Sequence, residues 1–218
     1  MDEHAARKFA GEALEDLILE RLLASACGAA GIRNTPEERV ARARVEILRS
    51  APPGSPAPPP AEEDLRRSAE SPELERRLLL DKWTAWLLRT EPAVRTRLHL
   101  YPDEAAARAG GAPERTVDLP WLTRDMLREL FDPPVETAVF SAAPGAWTDP
   151  TFTRPARDPA RVERLDRREG TPSSYESLHD EIEREIVDHP PDSVQTDAAL
   201  MSLRRKGNVL LQAIPPGR

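Results

Sequence analysis

Proline sets the limits on what this chain can fold into. There are 23 prolines in 218 residues, roughly twice ordinary usage. Each removes a backbone donor and pushes the residue before it toward extended geometry. Six fall within APPGSPAPPP, Ala51–Pro60, which reads as a semi-extended linker with nothing to pack. A second series, Pro144, Pro150, Pro155 and Pro159, leaves no room for a regular element between its members. Core material is scarce as well. Leu, Ile, Val and Phe number 25, 6, 10 and 4, about a fifth of the chain, which is the edge below which highly charged chains fail to bury a core.

Between the prolines the dominant signal is helical. Phe9, Ala10, Leu14, Leu17, Ile18 and Leu22 recur near helical spacing and predict a helix from His4 to Ala26. Thr35, Pro36 and Glu38 form a capping box with proline at the first helical position. SPELERRLLLDKWTAWLLRT predicts the strongest helix, with Leu79, Trp83, Trp86, Leu87 and Thr90 along one face. Pro92 opens a predicted helix through Val94 and Leu98, PDEAAARAGG predicts another, and Thr123 caps RDMLRELF. Leu122 and Leu127 are placed to act as a hydrophobic staple across that cap. Asp158-Pro159 opens a further helix on which Arg157, Arg161, Arg164 and Arg168 fall within about 60° of one another. Ser173 and Glu176 form a last capping box. Strand character is confined to Val135–Phe140 and Asn208–Ile214, where β-branched residues gather.

The expected fold is therefore mainly α: short helices and helical hairpins joined by proline-rich extended segments, with at most those two short strands. The expected divisions are an N-terminal helical hairpin over 1–50, the linker over 51–60 and a helical region over 61–132. An extended arm follows over 133–158, and a charged helical hairpin with the C-terminal segment over 159–218.

No motif names a reaction. The chain has no Gly-rich phosphate loop followed by lysine, no G-x-S-x-G elbow and no paired Cys-x-x-Cys, so neither a cofactor nor a catalytic residue is expected from motifs. On the helix containing Leu178–His189, His179 with Glu183 and Glu185 with His189 stand at i, i+4, spacing that suits a metal. The two pairs point about 120° apart, and each supplies two ligands where zinc needs three or four, so no metal is expected. Cys27 is the lone cysteine, which suits a reducing, cytoplasmic setting. Nothing resembles a secretory signal, and no apolar run reaches the ~18 residues of a membrane span.

The first functional expectation is a non-enzymatic structural subunit or adaptor of a larger assembly, engaging protein partners. Its contacts would be Trp83 and Trp86, the arm carrying Trp147 and Phe152, and the stripe Arg157, Arg161, Arg164 and Arg168. The second is a nucleic-acid-associated accessory protein using the same stripe with Arg204–Lys206, against which stands a net charge of −7. The third is a small enzyme whose site assembles from scattered residues.

Overall fold

The structure, a computed structural model, describes residues 3–50, 59–154 and 156–212. It falls into two compact units. The first comprises Met1–Trp83 with Ser174–Pro190, and the second Thr84–Ser173 with Pro191–Arg218.

The first unit is helical. It holds α1 (Glu3–Ala30), α2 (Pro36–Ser50), α3 (Glu62–Ala69), the beginning of α4 (Pro72–Thr90) and α8 (Tyr175–Asp188). The capping box on α2 is formed as expected: Thr35 N–H donates to Glu38 Oε2 at 2.6 Å and Glu38 N–H to Thr35 Oγ1 at 3.2 Å. On α8 the cap moves one residue, because Ser174 rather than Ser173 accepts from Ser177 N–H. Leu23, Cys27, Ile32, Leu78, Ile182 and Ile186 are buried, while Ala43, Leu65, Ala69 and Leu74 form a small core of their own. Of the expected linker, residues 51–58 lie outside the described residues.

The second unit corrects the expected fold class. It is built on a four-stranded antiparallel sheet of order β2-β1-β4-β3, from β1 (Ala93–Leu100), β2 (Arg115–Thr123), β3 (Thr151–Phe152) and β4 (Pro159–Arg168). Helices α5 (Glu104–Ala109), α6 (Arg124–Leu130), α7 (Pro133–Ser141) and α9 (Ser193–Gln212) accompany it. Neither expected strand is a strand. Val135–Phe140 lies in α7, where Pro133 and Pro134 occupy the first helical positions. Asn208–Gln212 belongs to α9, and Ala213–Ile214 falls outside the described residues.

The helices expected after Pro92 and Asp158 are strands β1 and β4. Each alternates: Val94, Thr96 and Leu98 are buried against Arg95 and Arg97, and Ala160, Val162 and Arg164 against Arg161 and Glu163. Period two had been masked by charged residues on the open face, and pairing between strands outweighs local propensity. Both ladders shift register between Arg95 and Thr96, leaving Pro120 and Leu165 as the extra residues. Proline is tolerated there because β2 is an edge strand at a bulge. Val94, Leu122, Met126, Leu127, Val139 and Val162 are fully buried beneath the sheet. Thr123 caps α6 as expected, accepting from Met126 N–H.

Candidate functional site

One face of the sheet is apolar and covered, and the other is polar and open. Register places His99 between Thr116 on β2 and Arg161 on β4, and Arg97 between Asp118 and Glu163. The His99 ring, 8% exposed, links two neighbours: Thr116 Oγ1 lies 3.3 Å from Nδ1 and Glu163 Oε2 lies 3.3 Å from Nε2. Arg97 forks onto Asp118 at 2.6 and 3.2 Å, and this guanidinium holds the Asp118 carboxyl below its ordinary range.

Trp147 completes the face. Gly145 takes a positive φ of 77°, and the chain then runs beside β4. Gly145 N–H bonds to Arg164 O at 2.7 Å and Thr148 N–H to Val162 O at 2.9 Å. A bridge between Trp147 and Glu163 sets the indole on the His99 side, with ring centroids 4.1 Å apart. Arg161 lies 5.3 Å over the indole and donates to Thr148 O at 3.1 Å. Trp147 is nonetheless 41% exposed. An aromatic plate beside a hydroxyl–imidazole–carboxylate chain can stack a flat side chain while donating to, and accepting from, a ligand's amides.

The first unit contains a second polar cluster. Lys82, on α4, is completely buried. Its ammonium donates to Glu38 Oε2 at 2.8 Å and to the Arg33 carbonyl at 2.9 Å, and pairs with Glu183 Oε1 at 2.7 Å. Tyr175 donates to the same Glu183 oxygen at 3.2 Å, and His179 Nε2 lies 3.1 Å from Glu38 Oε1. Burial pushes Glu38 up, but the bonds from Lys82, Thr35 and His179 leave its carboxyl below the usual range. Glu38, His179 and Glu183 present ligand atoms within 4.8 Å of one another, a donor set that a divalent cation uses. The cationic position between the two carboxylates is held by Lys82, whose three donors match three acceptors. Spacing alone had paired His179 with Glu183. Glu38 arrives from another helix, and its place in a capping box gave no sign of a second role. Cys27 is buried nearby in the same unit, its thiol pushed up to about 12 by burial.

This unit should show a defined pH dependence. Burial pushes Asp81 up to about 6 despite the Arg42 guanidinium 2.8 Å away. An acid raised in the folded state costs stability once ionised, so this cost is absent below its ordinary 3.8 and complete above about 6. Hydrogen bonds to Asp180 and then Glu38 raise His179. Its contribution is full below its ordinary 6.5 and is lost as pH climbs through the raised value. Glu38 acts oppositely, but only as pH falls below 4.5. Stability is therefore expected to be higher at about pH 5.5 than at about pH 8. Thermal melts across that range check it; a Tm that climbs with pH contradicts it, and Asp81→Asn should flatten the slope.

The residues grouped by sequence do not share one surface. Trp83 and Trp86 are half-buried on α4, with Trp86 Nε1 donating to Ser173 O at 3.2 Å. The most buried positions of α4 are instead Leu78, Lys82, Thr84 and Ala85. Phe152 lies in β3, with Arg157 4.8 Å over its ring. Because β4 is a strand, the arginine stripe is dispersed. Arg157 precedes the strand with φ 65° and meets Asp132, Arg161 is on the open face, and Arg164 is on the covered one. Arg168 donates to Leu88 O at 2.6 Å and lies over Trp121. His99, Thr116 and Glu163 were missed, since only the strand register brings them together.

No family model matches the sequence, and no curated protein does. Among solved structures there is weak similarity to PrsA chains. The peptidylprolyl isomerase PrsA from Bacillus anthracis is 14% identical, with 94% of this chain and 100% of that chain covered and a TM-score of 0.36. PrsA from Bacillus subtilis is 15% identical over 99% of this chain and 88% of that one, with a TM-score of 0.30. The foldase protein PrsA from Streptococcus pneumoniae is 12% identical over 95% and 91%, with a TM-score of 0.27. The names isomerase and foldase differ from the expected non-enzymatic, cytoplasmic structural subunit, and that expectation is not carried forward. At these scores the likeness carries no argument for a particular activity or location of this chain. Among the described residues, no helix is long and apolar enough to cross a membrane.

Proposed function

We propose that this chain binds extended or unfolded polypeptide on the open face of its sheet, in the manner of a chaperone or foldase. The observation that carries the proposal is Trp147, 41% exposed yet fixed at 4.1 Å from His99, whose two ring nitrogens face Thr116 and Glu163. Exposed large aromatics that are held rigid by their neighbours contribute disproportionately to binding, since little conformational entropy remains to be lost. The polar groups around the indole are those that recognise backbone amides. The reading that assigns four arginines to phosphate contacts draws no support from this geometry, because they occupy different faces.

The test is suppression of aggregation of a chemically unfolded client by the full chain, with peptide affinity measured by fluorescence anisotropy. Trp147→Ala is expected to weaken peptide binding about tenfold or more, equivalent to losing about 1.4 kcal/mol or more, with the fold retained by circular dichroism. Wild-type protein that neither binds peptide nor slows aggregation overturns the proposal, as does a Trp147→Ala variant with unchanged affinity. A protease-coupled X–Pro assay on the same samples shows whether the face also accelerates isomerisation, with His99→Ala as the control.

A further inference from the structure

Two side chains of the second unit are buried without the partners that their chemistry demands, and the sheet sets them opposite each other. Thr96 is completely buried and its Oγ1 makes no hydrogen bond. Arg164 is 8% exposed and its Nε is buried without an acceptor. Its guanidinium has no hydrogen bond or ion pair with any described residue. The β1–β4 register pairs Thr96 directly with Arg164, which places their Cβ atoms ~5 Å apart. Both flank the point where the two ladders slip by one residue, and bulges of this kind re-aim side chains and concentrate beside functional sites.

A guanidinium nitrogen buried without an acceptor is costly, and buried charges in folded proteins are paired. The acids in the vicinity are already engaged. Glu136, buried in α7, gives one oxygen to Arg124 and the other to Arg128 at 2.8 Å. Glu163 faces His99 on the opposite side of the sheet, and Asp166 pairs with Arg95 in the register of that same side. Arg167, which shares the covered face with Arg164, donates to the Phe140 carbonyl at 2.9 Å and pairs with Glu169 at 2.5 Å. Arg164 Nε is thus left without an acceptor among the described residues.

We propose that Arg164 and Thr96 form a subsite for an oxyanion, a carboxylate or a phosphate, with the guanidinium supplying the charge and the threonine hydroxyl a second donor. The planar fork of arginine matches both groups. A water molecule would satisfy Thr96 but bring no negative charge to the arginine. The subsite lies on the face of the sheet away from Trp147 and does not depend on the polypeptide-binding proposal.

Thermal unfolding and calorimetric titration of the full chain with sodium phosphate, and separately with sodium succinate, against sodium chloride at matched ionic strength, test it. Wild-type Tm is expected to rise with one of the two anions beyond the chloride control, and the anion giving the larger rise identifies the source. Arg164→Met should abolish that rise, and Thr96→Val should weaken the affinity about fivefold, roughly the loss of one hydrogen bond of ~1 kcal/mol. No rise in the wild type overturns the proposal, as does a rise that survives in Arg164→Met. If Arg164→Met does not fold, Thr96→Val decides: weakened affinity upholds the subsite, and unchanged affinity removes it.

Discussion

Lys82→Met is expected to cost the chain about 3–5 kcal/mol of stability, the range for removing one partner of a buried ion pair. The ammonium is completely buried and meets Glu38, Glu183 and the Arg33 carbonyl within 2.9 Å. Methionine fills much of the same volume but leaves two carboxylates facing each other, with the Thr35 N–H, Tyr175 and His179 as their remaining partners. Like charges so placed repel, and each can only be relieved by taking up a proton. Urea denaturation measures the loss. Combining Lys82→Met with Glu183→Gln should restore part of it, because one of the stranded charges is then gone. Added Zn2+ should also stabilise Lys82→Met more than wild type, since Glu38, His179 and Glu183 supply three ligand atoms within 4.8 Å. A Lys82→Met variant within 1 kcal/mol of wild type, or about that, would show the cluster to be solvated rather than buried.

Gly170→Ala is expected to destabilise the second unit by about 3 kcal/mol, the upper part of the range for overpacking. A methyl group on Gly170 would overlap the Thr90 carbonyl and the Glu91 carbonyl carbon. These are backbone atoms, which have no rotamer to change. The approach is enforced on the next residue, where Thr171 N–H donates to Arg89 O at 3.0 Å, and by Arg168 reaching Leu88 O. Release of the crowding would require breaking those bonds. Gly111→Ala provides the control, because the nearest atom to its added methyl is the Ala106 carbonyl oxygen at 3.7 Å, an ordinary contact. Equal melting temperatures for the two variants would mean that the close approach at Gly170 is not maintained in solution.

What the sequence disclosed, and what it hid, follow from the range of the interactions involved. Local signals were legible: the Thr35–Glu38 box, the Thr123 cap and the helix Glu104–Ala109 with Gly110 in left-handed geometry at its end. Each is settled within four or five residues. The sheet was not legible, because β1 and β4 carry arginines at 95, 97, 161, 164, 167 and 168, and three of these lie at spacings that also suit a helix. Only pairing between strands some 60 residues apart, as in His99 with Arg161, decides against the helix. The candidate site was hidden for the same reason. Thr116, His99 and Glu163 come from three strands, and no spacing within any one of them announces a hydrogen-bonded chain. Trp147 was singled out, as an aromatic in a proline-punctuated segment that needed somewhere to rest. Its resting place proved to be the His99 ring, with the indole still partly open.

Polypeptide binding on the open sheet face is tested most directly by mapping it on the intact chain. Backbone amide and indole resonances, recorded by NMR during titration with an extended, unstructured peptide, report on each position at once. The largest shifts are expected at Thr116, His99, Glu163 and the Trp147 indole, with the amides of Val139 and Leu127, on the covered side, little changed. Shifts confined to the helical first unit, or none at saturating peptide, would contradict the proposed site.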